Sequence, residues 1–133
     1  MSMTWRWVDK AALQLLHAES VAEHGGPQGV RDEGLLDSAL ARPSNLAAYA
    51  TPDFAELAAA YGFGLIRNHA FVDGNKRAAF LATGLFLALN GYRLTATQAD
   101  ATLTVVALAA SEIDEAAYAV WIRANSVRRS GGK

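Results

Sequence analysis

No cysteine occurs anywhere in the chain. That excludes a disulfide framework and thiolate catalysis and fits a reducing compartment. Long apolar runs are missing too. A bilayer span takes roughly 20 apolar residues, and the uncharged stretch AAFLATGLFLAL, Ala78 to Leu89, has twelve. The start, MSMTWRWVDK, lacks a continuous apolar core, so no signal peptide is expected. The expectation is a soluble cytoplasmic protein with no membrane association. Net charge is small: 12 Lys and Arg face 13 Asp and Glu, giving a formal −1. That argues against a general nucleic-acid surface but leaves room for a local basic site. No P-loop, GxGxxG or HExxH pattern is present. Ser38 and Ser44 have no nearby base, which speaks against a Ser–His hydrolase. There is no internal repeat and no sign of a second domain. A chain of 133 residues suits one domain, burying roughly two thirds of its unfolded surface without staples.

What is present centres on His69-Ala70-Phe71-Val72-Asp73-Gly74-Asn75-Lys76-Arg77 and the helix that follows to about Asn90. The stretch after Arg77 has no period-2 alternation and ends in Asn90-Gly91, a good helix C-terminus. A helix apolar on every side is one surrounded by protein, so it is expected at the middle of the fold. Its start breaks a local rule. Free N–H groups and the macrodipole make a helix N-terminus positive, yet Lys76 and Arg77 sit there, at roughly 0.3–1 kcal/mol each. Such violations belong to functional sites, and an anion is the natural missing partner. Gly74 lets the backbone approach closely, and the amides beyond it can point at a phosphate.

The rest of the chain reads as helices. Thr4 to Val8 is a short edge strand or an extended arm. Asp9 caps a helix through Leu13, Leu16 and Val21 to about His24, stopped by Gly25-Gly26. Asp32 caps a second, with Leu35, Leu36, Ala39 and Leu40, ending before Pro43; residues 43–50 form a connection. Thr51-Pro52 reads as N-cap and first helical position of a third helix, to about Asn68. Gly62 and Gly64 weaken it by about 1 kcal/mol each but allow close helix packing. A fifth helix starts near Thr97 and runs to about Ala110. Ser111 with Asp114 resembles a capping arrangement for a sixth, carrying Tyr118, Trp121 and Ile122. Residues 1–125 form the domain and 126–133 a basic disordered tail. The class is all-α, a single-domain bundle of about six helices around a buried central helix.

The loop holds a set of groups suited to phosphoryl chemistry. His69 is the usual type of general base near neutral pH. Phe71, between polar positions, reads as a buried anchor. Asp73 offers a carboxylate of the kind that, with substrate phosphates, holds Mg²⁺. Gly74 and Asn75 supply backbone amides and a side-chain amide, and Lys76 and Arg77 supply charge. Blander readings stay open. Asp-Gly before a helix is often only a turn and an N-cap, with the carboxylate spent on those amides. Lys76 and Arg77 can snorkel to solvent, and a lone histidine is more often structural.

HAFVDGNKR resembles the signature of the Fic/Doc family, closest to its Doc (death-on-curing) branch. The flanks His24-Gly25-Gly26 and GVRDEGLLDSALARP, residues 29–43, and the helix after Arg77 are similar as well. The resemblance implies an all-helical fold with the motif between two central helices. It implies a toxin of a toxin–antitoxin pair that uses ATP, or another nucleoside triphosphate, with Mg²⁺. Doc-type proteins move the γ-phosphate to a threonine of elongation factor Tu; most other Fic proteins transfer AMP to target hydroxyls. By resemblance, His69 is the general base, Phe71 packs the loop and Asp73 holds the Mg²⁺–phosphate unit. Gly74 and Asn75 form the anion cradle, and Lys76 and Arg77 bind phosphates. Lys76 departs from the AMP-transferring pattern HxFxxGNGR, which has glycine there. A side chain at that position narrows the cradle and adds a cation, which favours the kinase. Gly74 departs the other way, since the type member of the Doc branch has alanine.

Restraint by an inhibitory helix reading [S/T]xxxE[G/N] finds only Ser111 to Glu115 followed by Ala116, where the last position fails. The resemblance instead implies a separate antitoxin with a segment that folds on binding. His17 and His24 read as surface residues, and Arg67 as suited to a helix C-terminus with a possible reach to the phosphate site. Arg128, Arg129 and Lys133 read as a solvated tail. Besides the kinase, AMP transfer and a non-catalytic helical partner-binding domain stand as alternatives.

Overall fold

The computed structural model describes residues 4–129. Six helices are present there: α1 (Lys10–His24), α2 (Glu33–Tyr49), α3 (Phe54–Asn68), α4 (Asn75–Leu89), α5 (Gln98–Ala109) and α6 (Glu115–Ala124). Two three-residue strands, β1 (Tyr92–Leu94) and β2 (Ser126–Arg128), pair antiparallel with Tyr92 opposite Arg128. The all-α class is as expected from the sequence.

The middle of the fold is a pair. α3 packs against α2, α4, α5 and α6, and α4 against α1, α3, α5 and β1. α3 is the more enclosed, with Ala55, Leu57 to Gly62, Gly64 and Leu65 all buried. α4 buries Ala78, Ala79, Ala82, Thr83, Phe86 and Leu87, while Leu89 is 38% exposed. Small residues let the pair close up. A Cβ on Gly62 would stand 2.7 Å from the Tyr118 ring and 3.0 Å from Thr83 Oγ1. There the Tyr118 and Thr83 hydroxyls are hydrogen-bonded at 2.9 Å, and burial pushes the Tyr118 phenol up to about 12. Residues 4–8 are the extended arm: Trp5 and Trp7 lie on Phe86, and the Val8 N–H donates to the Tyr61 hydroxyl at 2.9 Å.

Four boundaries differ from the sequence reading. α2 does not stop before Pro43 but runs through it to Tyr49, so residues 43–50 are not a connection. Proline inside a helix costs ~3 kcal/mol, yet Leu36, Ala39 and Pro43 are buried and Leu40, Leu46 and Ala47 pack on the core. Burial on both sides of the proline carries the helix across it. α3 is capped by Asp53, not Thr51. Asp53 accepts the Glu56 N–H while Glu56 accepts the Asp53 N–H, both at 2.9 Å, and this reciprocal box outcompetes the Thr-Pro pair. α6 is capped by Asp114, which accepts the Ala117 N–H at 2.8 Å, and Ser111 instead turns the chain at φ 62°. The basic tail does not begin at 126. Ser126–Arg128 form β2, and the Arg129 N–H extends the pairing to the Gly91 carbonyl at 2.9 Å. Arg128 lies over the Tyr92 ring, an attraction that a count of charges does not reveal. Residues 130–133 of that predicted tail lie outside the described residues.

Candidate active site

α3 ends at His69, which takes the left-handed conformation (φ 50°, ψ 50°) and closes the helix through its N–H to Leu65. Glycine is the usual occupant of such a position; for an L side chain it costs roughly 1–2 kcal/mol. Arg31 covers this end. Its Nε donates to the His69 carbonyl at 2.8 Å and its Nη2 to the Asn68 carbonyl at 3.2 Å.

The next residues run into the protein and back out. Ala70 and Phe71 are buried, Phe71 at 1% exposure. The chain pairs with residues before α2: Val30 bridges Phe71, and the Val72 N–H donates to the Gly29 carbonyl at 3.0 Å. The Asn75 side chain locks the turn from within. Its Oδ1 accepts the Phe71 N–H and its Nδ2 donates to the Phe71 carbonyl, both at 3.0 Å. That corrects the picture in one respect: the side-chain amide of Asn75, 7% exposed, uses its oxygen and one N–H within the loop.

His17 is a second correction. It is 2% exposed rather than on the surface, and its ring stacks on Phe71 at 3.8 Å. Its Nε2 donates to the Asp73 carbonyl at 2.7 Å. Its spacing, four residues from both Leu13 and Val21, already put it on the buried stripe of α1; what the helical period could not show is its partner, 56 residues away. Gly74 follows in the left-handed conformation (φ 74°), and a Cβ there would stand 3.0 Å from His17 Nε2 and 3.1 Å from Val21. Glycine is therefore favoured twice, by torsion and because a Cβ would crowd His17 and Val21. His24 is exposed and bonded to its own helix.

Gly74 is also the N-cap of α4, and no side chain caps that helix. Asp73 does not spend its carboxylate on the amides; its Oδ2 instead faces Gly26, where a Cβ would come within 2.5 Å. The first turn has no acidic residue, and neither Lys76 nor Arg77 forms an ion pair among the described residues. His69, Asp73, Gly74, Asn75, Lys76 and Arg77 all line one cleft of about 530 Å³. Its other wall is apolar, with Ile66, Phe80, Val105, Val106 and Ala109, and with Gln98 and Thr102 near the start of α5. Phe71 does not line it but lies beneath the loop. Among the described residues no cluster of three or more His, Asp or Glu side chains could hold a metal ion by themselves.

The cleft thus joins a helix N-terminus with uncapped amides, two cations, a carboxylate and an imidazole, facing an apolar wall. Such an arrangement can bind a phosphate at one side and a flat or apolar group at the other. Arg67 does not reach it. Its guanidinium lies 5.6 Å from the Phe63 ring centre, in a separate groove of about 1150 Å³ between α2, α3 and α6. Glu115 is also elsewhere, paired with Arg42 rather than with Arg77. Among the described residues no helix is long and apolar enough to cross a membrane.

Comparison with known proteins places the chain beside a family model and a curated relative. A family model described as "Fic/DOC family" matches residues 7–87. A curated relative named "Toxin Doc", from Mycolicibacterium smegmatis, is 49% identical over 86 residues. That alignment covers 62% of this chain, and the chain spans 64% of the relative's length. The matched residues of the family model run from the N-terminal arm to near the end of α4, so they include the whole loop and its supports.

Proposed function

The chain belongs to the Fic/DOC family, and from that premise we propose that it is the toxin of a toxin–antitoxin pair acting as a protein kinase. It transfers the γ-phosphate of ATP, or of another nucleoside triphosphate, to a hydroxyl of a translation protein of the elongation factor Tu type. The observation that carries this reading is the uncapped, doubly cationic start of α4, which opens into the same cleft as His69 and Asp73. The "Toxin Doc" relative supports the toxin assignment. An antitoxin with a segment that folds on binding restrains it in the cytoplasm.

His69 takes the proton of the target hydroxyl as its oxygen attacks the γ-phosphorus. The bond to the bridging oxygen breaks and the nucleoside diphosphate leaves. The amides that open α4, with Lys76 and Arg77, neutralise the charge that spreads over the phosphoryl oxygens. Asp73 fits a Mg²⁺ held jointly with phosphates, since its carboxylate caps no helix and forms no ion pair among the described residues. Such an ion supplies further charge neutralisation when bound. His17, Asn75 and Phe71 keep the loop in shape, and the apolar wall from α5 and Phe80 excludes water.

The test is incubation with α- and γ-labelled ATP and a bacterial translation extract. Protein label from the γ position alone is expected, falling by about 100-fold or more in His69→Ala. Label from the α position would establish AMP transfer instead. Label from neither, with toxicity intact in His69→Ala, would establish a non-catalytic partner-binding domain.

A further inference from the structure

The strained end of α3 is held by a residue outside the nine-residue motif. Three successive carbonyls, of Asn68, His69 and Ala70, all receive donors from Arg31 and its neighbour. The Arg31 guanidinium bridges the first two, at 3.2 and 2.8 Å. The backbone N–H groups of Arg31 and Asp32 meet the third, at 2.7 and 3.1 Å. Asp32 is in turn fixed as the N-cap of α2, accepting the Leu35 N–H at 2.9 Å. Asn68 Nδ2 donates back to the Leu35 carbonyl at 2.8 Å. The start of α2 is therefore registered on the end of α3.

This clamp encloses a left-handed residue that carries a side chain. A helix end of this geometry is normally made with glycine, and strain kept at such a position points to a use for the side chain. At an ordinary helix end a cation interacts loosely with the dipole. Here two guanidinium nitrogens meet two particular carbonyls, which fixes the peptide planes on which the imidazole direction depends. We infer that Arg31 is a positioning residue for His69: it holds the α3 terminus so that the imidazole points into the cleft in a single orientation. The inference rests on the catalytic reading of His69 given above. Arg31 does not line the cleft.

The experiment uses the full chain as wild type, Arg31→Ala and Arg31→Lys, with His69→Ala alongside. In Arg31→Ala, kcat for label transfer is expected to fall about 10- to 100-fold, with nucleotide affinity within about twofold by calorimetry. Arg31→Lys keeps the charge but cannot bridge both carbonyls and should recover only part of the rate. Millimolar guanidinium ion should raise the rate of Arg31→Ala and leave that of His69→Ala unchanged. An unchanged kcat, or a proportionate loss of kcat and nucleotide affinity, would overturn the inference. If Arg31→Ala does not fold, Arg31→Lys with the same split of kcat and affinity decides. If wild type transfers no label, the catalytic reading fails. Imidazole resonances then judge the clamp separately: His69 Hε1 should be a single line in wild type, and shifted or split in Arg31→Lys. An unmoved line would refute the clamp.

Discussion

A histidine sits where a helix end of this shape ordinarily has glycine, and its neighbour loop is supported by another histidine buried 52 positions earlier in the chain. The two should respond oppositely to mutation. His69→Gly relieves the left-handed torsion, so thermal unfolding is expected to show stability unchanged or raised by up to about 1 kcal/mol, while transfer is lost. His17→Ala removes a ring packed on Phe71 and leaves the Asp73 carbonyl without its donor. Chemical denaturation is expected to show a loss of about 2–4 kcal/mol. If His17→Ala were as stable as wild type, its support of the loop would have no energetic content.

Among the elements, α3 shows how the ends and the middle of one helix are secured by different means. At its start, Asp53 takes the Glu56 N–H and two hydrogen bonds from Arg123, at 2.7 and 3.1 Å. Burial pushes the Asp53 carboxyl up, but the Arg123 hydrogen bonds and the Glu56 N–H outweigh it and hold it below the usual carboxylate range. A depressed folded-state value means the group stabilises the fold above its unfolded value, about 3.9, and that this contribution is lost as pH falls through the lower folded value. The ion pair is partly exposed, so Asp53→Asn, which keeps a good cap, is expected to cost only about 0–1 kcal/mol at pH 7. Urea titrations from pH 7 down to 2 should show that difference shrinking in the acid range. In the middle of the helix, Gly62 admits Tyr118 and Thr83. Gly62→Ala would gain about 1 kcal/mol of helix propensity but drives a methyl into the Tyr118 ring. A net loss of about 1–2 kcal/mol is expected in the same assay. A stabilised Gly62→Ala would mean the α4–α6 contact yields easily.

Across the whole molecule, every other helix except α1 packs on α3, and α1 reaches the core through α4. The arm of residues 4–8 and the β1–β2 pair close over the far end of α4. Asn90 exchanges hydrogen bonds with the Arg6 backbone at 3.0 Å each way. With both ends of the described residues tied to the middle of the fold, heat unfolding is expected as one transition, its calorimetric and van't Hoff enthalpies agreeing. A separate early transition of residues 126–129 would show that the strand pair is not part of the cooperative unit.

The helix count, the motif between α3 and α4 and the rule-breaking cations were legible in the sequence. Each is a local signal: periodicity, a short contiguous pattern, or a charge at a helix end. Competing caps were less legible, because Thr51 and Asp53, or Ser111 and Asp114, offer the same oxygen within one turn. Pro43 misled because its local cost is visible in the sequence, whereas the packing of Leu36, Ala39 and Leu46 against α3 is not. His17 shares the buried stripe of Leu13 and Val21 and Arg31 lies in the flank 29–43, but that the two shape the loop could be found only in three dimensions. Their bonds go to backbone carbonyls 56 and 38 positions away, and a carbonyl has no letter of its own in a sequence. What local chemistry dictates, the chain already carried. Which way His69 faces and what holds Asp73 and Gly74 in place were decided by helices that meet only after folding.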